Sequence, residues 1–106
     1  MRRIVLTQTG AGASAVSPMN LNTSPFNVGF GVIVSGTVNY TVQHTFDDVF
    51  SPSFNAGTAT WFPHPTIAGQ AASADGNYAF PVTAIRLLVN SGGGTATLVL
   101  LQAGIQ

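Results

Sequence analysis

Residues 83–102 read TAIRLLVNSGGGTATLVLLQ, and this stretch decides the fold class. Its first half alternates, with Ile85, Leu87 and Val89 on one face and Arg86 on the other, which is the period of two of a β-strand. Ser91 and three glycines then turn the chain, and residues 95–102 return as a second strand. The two strands are predicted to form a hairpin. Both faces of the returning strand are largely apolar, which predicts a central strand covered on two sides.

The same alternation runs through residues 28–46. Apolar residues occupy every second position from Val28 to Val34 and, apart from His44, again from Val38 to Phe46, and Ser35-Gly36 separates the two runs. This pattern predicts another hairpin, with one threonine-rich polar face on its second strand. Gly29 and Gly31 fall in the first run, where glycine indicates a bulge, a bend or the close approach of another backbone.

The remaining segments are shorter. Strands are predicted at residues 2–7 and 58–62, the second ended by Pro63, and loops at 10–17, 18–25, 51–57 and 69–77, with Asp75-Gly76 as the sharpest turn. Six or seven strands without a helical period predict one all-β domain over residues 1–106. The expected architecture is an antiparallel β-sandwich, of which the jelly roll is one form.

Charge is nearly absent from the chain. Six of 106 residues are charged, namely Arg2, Arg3, Arg86, Asp47, Asp48 and Asp75, and the net charge is zero. Soluble domains average about 25% charged residues and keep a net charge that opposes association. The composition therefore predicts a component of an assembly, including a homo-oligomer such as a dimer or trimer.

Several function classes are disfavoured by the composition. Three arginines and no lysine cannot form the cationic surface that a nucleic acid requires, so no nucleic-acid partner is expected. No apolar run approaches the ~20 residues of a membrane span, and the one behind Arg2-Arg3 is too short for a signal peptide. With no cysteine, disulfides and zinc-thiolate sites are excluded.

Four segments carry a resemblance to known proteins: RRIVLTQTGAG (2–12), GTVNYTVQHTFDDVF (36–50), TWFPHPTIAGQ (60–70) and NYAFPVTAIRLLVNSGGGTATLVLLQAG (77–104). Together they resemble small β-rich virion proteins of tailed bacteriophages. The resemblance implies a decoration, or cement, protein that is made in the bacterial cytoplasm and binds the major capsid protein on the virion surface. A head-tail component or a glycan- or receptor-binding module of a head fibre or tail is the alternative, because fold alone does not determine function.

Residues with catalytic or metal-binding chemistry are few. His44, Asp47 and Asp48, with His64, are conceivable metal ligands, but their spacing matches no known ligand pattern, and turn or hydrogen-bonding roles are favoured. No glycine-flanked nucleophilic serine and no suitable carboxylate pair is present. Gly92-Gly93-Gly94 lacks the lysine and helix of a phosphate loop. The sequence therefore predicts neither an enzyme nor a metal or other cofactor.

Aromatic residues are the best candidates for a binding surface. Phe54, Trp61 and Phe62 are predicted protein-interface residues, and of the adjacent pair one side chain is expected to enter the core and the other to face outward. Phe26 and Phe50 also fall in or near predicted loops, where aromatics favour contacts outside the domain. An exposed aromatic beside Pro63-His64-Pro65 is compatible with a sugar platform or with an anchor at a protein contact, and plain core packing is favoured at least as much as either.

Overall fold

Short and long β-strands make up the regular structure of the chain. The computed structural model describes residues 2–19, 24–55, 57–78 and 81–105, and these contain nine strands and no helix. The strands are β1 (Arg2–Thr9), β2 (Gly12–Ala13), β3 (Ser17–Pro18), β4 (Ser24–Ser35), β5 (Asn39–Thr45), β6 (Trp61–Pro63), β7 (Ala74–Tyr78), β8 (Ala84–Ser91) and β9 (Thr95–Ile105). Accordingly, no helix within the described ranges is long and apolar enough to cross a membrane.

Two antiparallel sheets face each other. Sheet 1 has the order β1-β9-β4-β7, and sheet 2 has the order β2-β8-β5-β6, with β3 also paired to β8. Connections between β4 and β5, β6 and β7, β7 and β8, and β8 and β9 all cross from one sheet to the other. This strand order is that of a jelly roll, so the predicted all-β antiparallel sandwich is confirmed.

The core lies between the two sheets, and strand alternation determines which side chains enter it. In β4, Val28, Phe30 and Val32 are buried, whereas Ile33, which follows Val32, is 61% exposed, so the alternation predicted for this strand is confirmed. The facing side chains of sheet 2 come from β5 and β8, while β7 and β9 of sheet 1 contribute further core residues. The largest fully buried side chains include Tyr40, Val42, Tyr78, Ile85, Leu87, Val89, Leu98 and Leu100.

Neither predicted hairpin exists. β4 and β5 lie in different sheets, as do β8 and β9, and each pair is joined by a turn that crosses the sandwich. The prediction was wrong because a period of two shows that a segment is a strand without showing its neighbour. Two strands with one apolar face each bury those faces by packing one above the other, whereas side by side they would need a further layer.

Glycines allow the two crossing turns to touch at one end of the sandwich. Gly36 and Gly92 have positive φ angles of 83° and 99°. A Cβ atom at Gly92 would clash with the carbonyl oxygen of Thr37, and one at Gly94 would lie 2.5 Å from that of Ser35. The backbone N–H of Gly94 donates to the Thr37 carbonyl at 2.9 Å. Gly92 and Gly94 thus serve a close backbone approach between turns.

The loop predicted at 69–77 was wrong in its second half. Asp75 and Gly76 belong to β7, the edge strand of sheet 1, where they pair with Gly31 and Phe30. A Cβ atom at Gly76 would lie 3.0 Å from Cζ of Phe30, so this glycine makes room for a core side chain. Its role is packing, which the sequence signal of Asp-Gly cannot distinguish from a turn.

Three smaller expectations also change. Gly29 and Gly31 cause no bulge, since the register shift in β4 falls between Ser24 and Asn27, and no atom lies within 4 Å of a Cβ at either glycine. β9 is central but not covered on both sides, because Leu101 is 43% exposed. The segments predicted as loops at 10–17 and 18–25 contain β2, β3 and the start of β4, while residues 20–23 lie outside the described residues.

Candidate functional site

Two exposed phenylalanines form an aromatic edge at one margin of sheet 2. Phe62 lies on the short edge strand β6 opposite His44 of β5, and its ring is 6.0 Å from the His44 ring, nearly parallel to it. Phe46 follows β5 and packs 5.7 Å from Phe62. These rings are 44% and 54% exposed. We call Phe46 and Phe62 the aromatic edge.

Directly beneath the aromatic edge lies a buried polar cluster that joins the sheets. His44 of sheet 2 and Tyr78 of sheet 1 are 5% and 0% exposed, and Nδ1 of His44 is 2.9 Å from the Tyr78 hydroxyl. Burial raises the pKa of Tyr78, and burial together with nearby His64 lowers the pKa of His44. Both groups are therefore neutral at pH 7.

His64 has a structural role. Its Nε2–H donates to the carbonyl of Asn77 at 2.9 Å, and its Nδ1 accepts from the backbone N–H groups of Thr66 and Ile67, both at 3.2 Å. This pattern specifies the neutral tautomer with the proton on Nε2. The ring thus anchors the turn after β6 to the edge strand β7.

Asp47 and Asp48 organise the loop after β5. The carboxylate of Asp47 accepts from the N–H of Thr60 at 3.0 Å, and that of Asp48 from the N–H of Phe50 at 3.1 Å. Their expected turn role is confirmed. Throughout the described part of the chain, no group of three or more His, Asp or Glu residues is arranged to hold a metal ion.

Trp61 lies on the other side of β6 from Phe62 and packs against a cation. The guanidinium carbon of Arg86 is 4.1 Å from the centre of the Trp61 ring, and Nε–H of Arg86 donates to the Gln43 side chain at 2.8 Å. Burial lowers the pKa of Arg86. Trp61 is half-buried in this arrangement. The expectation that either Trp61 or Phe62 enters the core is wrong.

The three predicted interface residues do not form one surface. Trp61 and Phe62 point to opposite sides of β6, while Phe54 is half-buried in the 51–55 loop and lines an open depression with Asp47 and Asp48. Phe50 is 76% exposed in that same loop region. The side chain of Phe26 lies outside the described residues. Nothing in these positions tests the interface prediction itself.

A second exposed apolar surface, missed from the sequence, covers the outer face of sheet 1. Val5, Ile33 and Leu101 are 48%, 61% and 43% exposed on β1, β4 and β9. Between them is a groove of about 420 Å³, lined by Gly29, Phe30, Gly31, Ile33, Val99 and Leu101. We call this groove the glycine trough. Two features of the sequence signal this groove. Val99 and Leu101 make the face of β9 that points away from the core apolar, and Gly29 and Gly31 leave the same face of β4 without side chains.

Comparison of the chain with family models, curated proteins and solved structures finds no match in any of the three.

Lowering the pH is expected to destabilise the fold through His44. In the unfolded chain this group titrates near its ordinary pKa of 6.5, and in the folded protein its pKa is lower. Between the two values the unfolded state binds more protons, so the free energy of unfolding decreases as the pH falls below about 6.5 and is unaffected by His44 above it. Urea unfolding at pH 8, 7, 6 and 5 measures this dependence.

The matched variant is His44→Gln, which keeps a polar side chain opposite Tyr78 and cannot titrate. Its free energy of unfolding is expected to change less between pH 7 and 5 than that of the unmodified protein. Equal pH dependence in the two proteins would show that His44 is not the responsible group.

Proposed function

We propose that this chain is a structural virion protein that decorates a tailed-phage capsid and reinforces it by binding the shell of major capsid protein. The resemblance described above suggests the phage context. The observation that carries a binding role is the aromatic edge, because two large apolar rings are exposed beside each other on a molecule with six charged residues.

The aromatic edge has the properties of an interface anchor. Phe46 and Phe62 contact each other, and the buried His44 ring stacks on Phe62. His44 in turn packs against the buried ring of Tyr78. Rings held in this way lose little conformational freedom when a partner covers them. Buried aromatic residues commonly dominate binding energy at protein interfaces.

Reinforcement of this kind requires no turnover. A rigid sandwich that contacts adjacent subunits of a shell stabilises the assembled state by mass action, since it binds that state and not the separated subunits. The scarcity of charge means that the contact is mainly apolar and neutral-polar. Ionic contacts at exposed positions would add only about 0–1 kcal/mol each.

Replacing Phe62 by alanine is expected to weaken binding to capsids lacking the protein by about 30-fold, which corresponds to the ~2 kcal/mol of an interface anchor. Phe62→Tyr keeps the ring and is expected to bind within a few-fold of the unmodified protein. Cosedimentation with capsids measures both. Binding of the unmodified protein should persist at about 1 M salt, where the Debye length is only about 3 Å and exposed charges are screened. Thermal unfolding of each variant controls for loss of fold.

The glycan-binding alternative gives a different result. If Trp61→Ala abolished binding to an oligosaccharide array while Phe62→Ala left capsid binding unchanged, the cement role would be contradicted. Arg86 already covers one face of the Trp61 ring, so a sugar would have to stack on the other face.

A further inference from the structure

The outer face of sheet 1 is uneven in a regular way. On β9, Val99 and Leu101 project from it, whereas on the neighbouring strand β4 the corresponding positions are Gly31 and Gly29. Apart from the adjoining residues of β4, no atom of the described part of the chain lies within 4 Å of a Cβ built on either glycine. At these two levels β9 therefore carries projecting side chains, and β4 leaves unfilled space beside them.

We propose that the glycine trough binds a second copy of this chain around a two-fold axis that runs parallel to the strands, between β4 and β9. This inference goes beyond the proposed capsid role and concerns the isolated protein. A two-fold interface uses the same patch on both copies, so the patch must be complementary to itself. Sheets packed face to face keep their strands within about 30° of each other, as this axis requires.

The shape of the face meets that requirement. Rotation about the axis places β9 of each copy over β4 of the other. It leaves every residue at the same position along the strand direction. Because Leu101 pairs with Gly29 and Val99 with Gly31, each projecting side chain is brought over the glycine at its own level in the second copy. The side chains of Val99 and Leu101 from each copy thus fill the space above Gly31 and Gly29 of the other copy, and this contact occurs twice per dimer.

The charges on this face are complementary under the same rotation. Arg3 on β1 is level with Leu101, and Asp75 on β7 is level with Gly31, and both side chains are exposed. Since β1 and β7 are the outer strands of sheet 1, the rotation places β1 of one copy over β7 of the other. The offset between the two levels is two residues, about 7 Å along a strand, which an arginine side chain can span.

The size of the surface sets the class of interface. Four strands about 4.8 Å apart and on average about nine residues long present roughly 550 Å² a copy, or about 1,100 Å² buried in total. This lies at the lower end of specific interfaces, the class of weak and reversible association, and we expect the dimer to dissociate in the micromolar range. Sedimentation velocity over a concentration series measures the dissociation constant directly.

Filling the trough is the first test. Gly31→Val is expected to weaken dimerisation at least tenfold, because its side chain occupies the space meant for Val99 of the second copy. It leaves the monomer intact, since the site is open, its φ is not positive, and valine favours a strand more than glycine does. Thermal unfolding at a concentration where both proteins are monomeric should show a midpoint no lower than that of the unmodified protein.

Charge reversal is the second test. Arg3→Asp alone and Asp75→Arg alone are each expected to weaken the dimer about tenfold at low salt, because each creates two like-charged contacts per dimer. The double variant is expected to recover most of the loss. Asp48→Arg makes the same change of net charge as Asp75→Arg, but in a loop outside sheet 1, and should leave the dissociation constant unchanged.

Three results would overturn the inference. These are a monomer at about 1 mM unmodified protein, far above the micromolar dissociation constant that we expect for an interface of this class, a dimer whose dissociation constant is unaffected by Gly31→Val, and a double charge variant no better than either single one. Because all measurements use the isolated protein, they leave the proposed capsid binding to be judged by its own experiment.

Discussion

Replacing Gly92 by alanine is expected to destabilise the protein by about 3 kcal/mol or more, combining a left-handed backbone cost of about 1–2 kcal/mol with displacement of packed backbone at about 1–3 kcal/mol. The φ angle of Gly92 is 99°, which side chains rarely tolerate. A Cβ atom there would also clash with the Thr37 carbonyl and lie 2.9 Å from Cα of Val38. Backbone cannot move aside as the end of a flexible side chain can.

Gly93→Ala is the matched control for this prediction. Gly93 is the next residue of the same turn, has no positive φ, and has no atom within 4 Å of a Cβ position. Its replacement is expected to change the free energy of unfolding by less than about 0.5 kcal/mol, as is usual for exposed sites. Urea unfolding measures both variants, and equal stability of the two would contradict the close contact between the crossing turns.

Truncation of Tyr78 to alanine is the second large effect, with an expected loss of about 3–5 kcal/mol, the range for a buried aromatic side chain. Tyr78 is fully buried, and its ring packs against Phe30, His44 and His64 at centroid distances of 5.7, 5.0 and 4.9 Å. It therefore links sheet 1 to sheet 2 at the edge where β6 and β7 lie. Removing the ring leaves a cavity and also removes the hydroxyl that contacts His44.

Two variants separate these contributions. Tyr78→Phe keeps the ring and removes the hydroxyl, with an expected cost of about 1–3 kcal/mol for removing one partner of a buried hydrogen bond. Asn77→Ala, an exposed neighbour in β7 whose backbone carbonyl still accepts from His64, is expected to be nearly neutral. A Tyr78→Ala variant as stable as Asn77→Ala would show that the cluster does not hold the sheets together.

The positions of the main strands could be predicted from the sequence, because burial of one face imposes a period of two on the apolar residues. Val28, Phe30 and Val32 alternate with exposed or open positions as expected, and in β8 the buried Ile85, Leu87 and Val89 alternate with half-buried positions. Strand partners were not readable. Ser35-Gly36 and Gly92-Gly93-Gly94 are compatible with a hairpin or a crossing between sheets, and only the three-dimensional fit of the apolar faces separates these cases.

The roles of the glycines were the hardest to predict, since glycine serves three different purposes in this chain. At Gly92 it permits a positive φ and a close backbone contact, at Gly76 it makes room for Phe30, and at Gly31 it leaves an open trough. All three positions lack a side chain for different spatial reasons. The sequence neighbourhood, including Asp75 before Gly76, does not separate them.

The candidate binding residues were predicted only in part. Phe62 is exposed at the aromatic edge, but its neighbour Phe46 was predicted as part of the apolar face of its strand and proves to be 54% exposed. The reason is that β5 ends at Thr45, so the next apolar position lies beyond the sheet. Trp61 of β6 packs with Arg86 of β8 across the intervening strand β5. The two residues are 25 positions apart in the sequence, so no local pattern reveals the contact.

The heat stability of capsids with and without this protein, measured together with its occupancy on the shell, tests the cement role. We expect particles lacking the protein to open at a lower temperature, the added protein to restore the original temperature, and Phe62→Ala to restore it only at higher protein concentration. Particles that lack the protein, withstand heat equally well and fail to adsorb to host cells would contradict the cement role and support receptor binding.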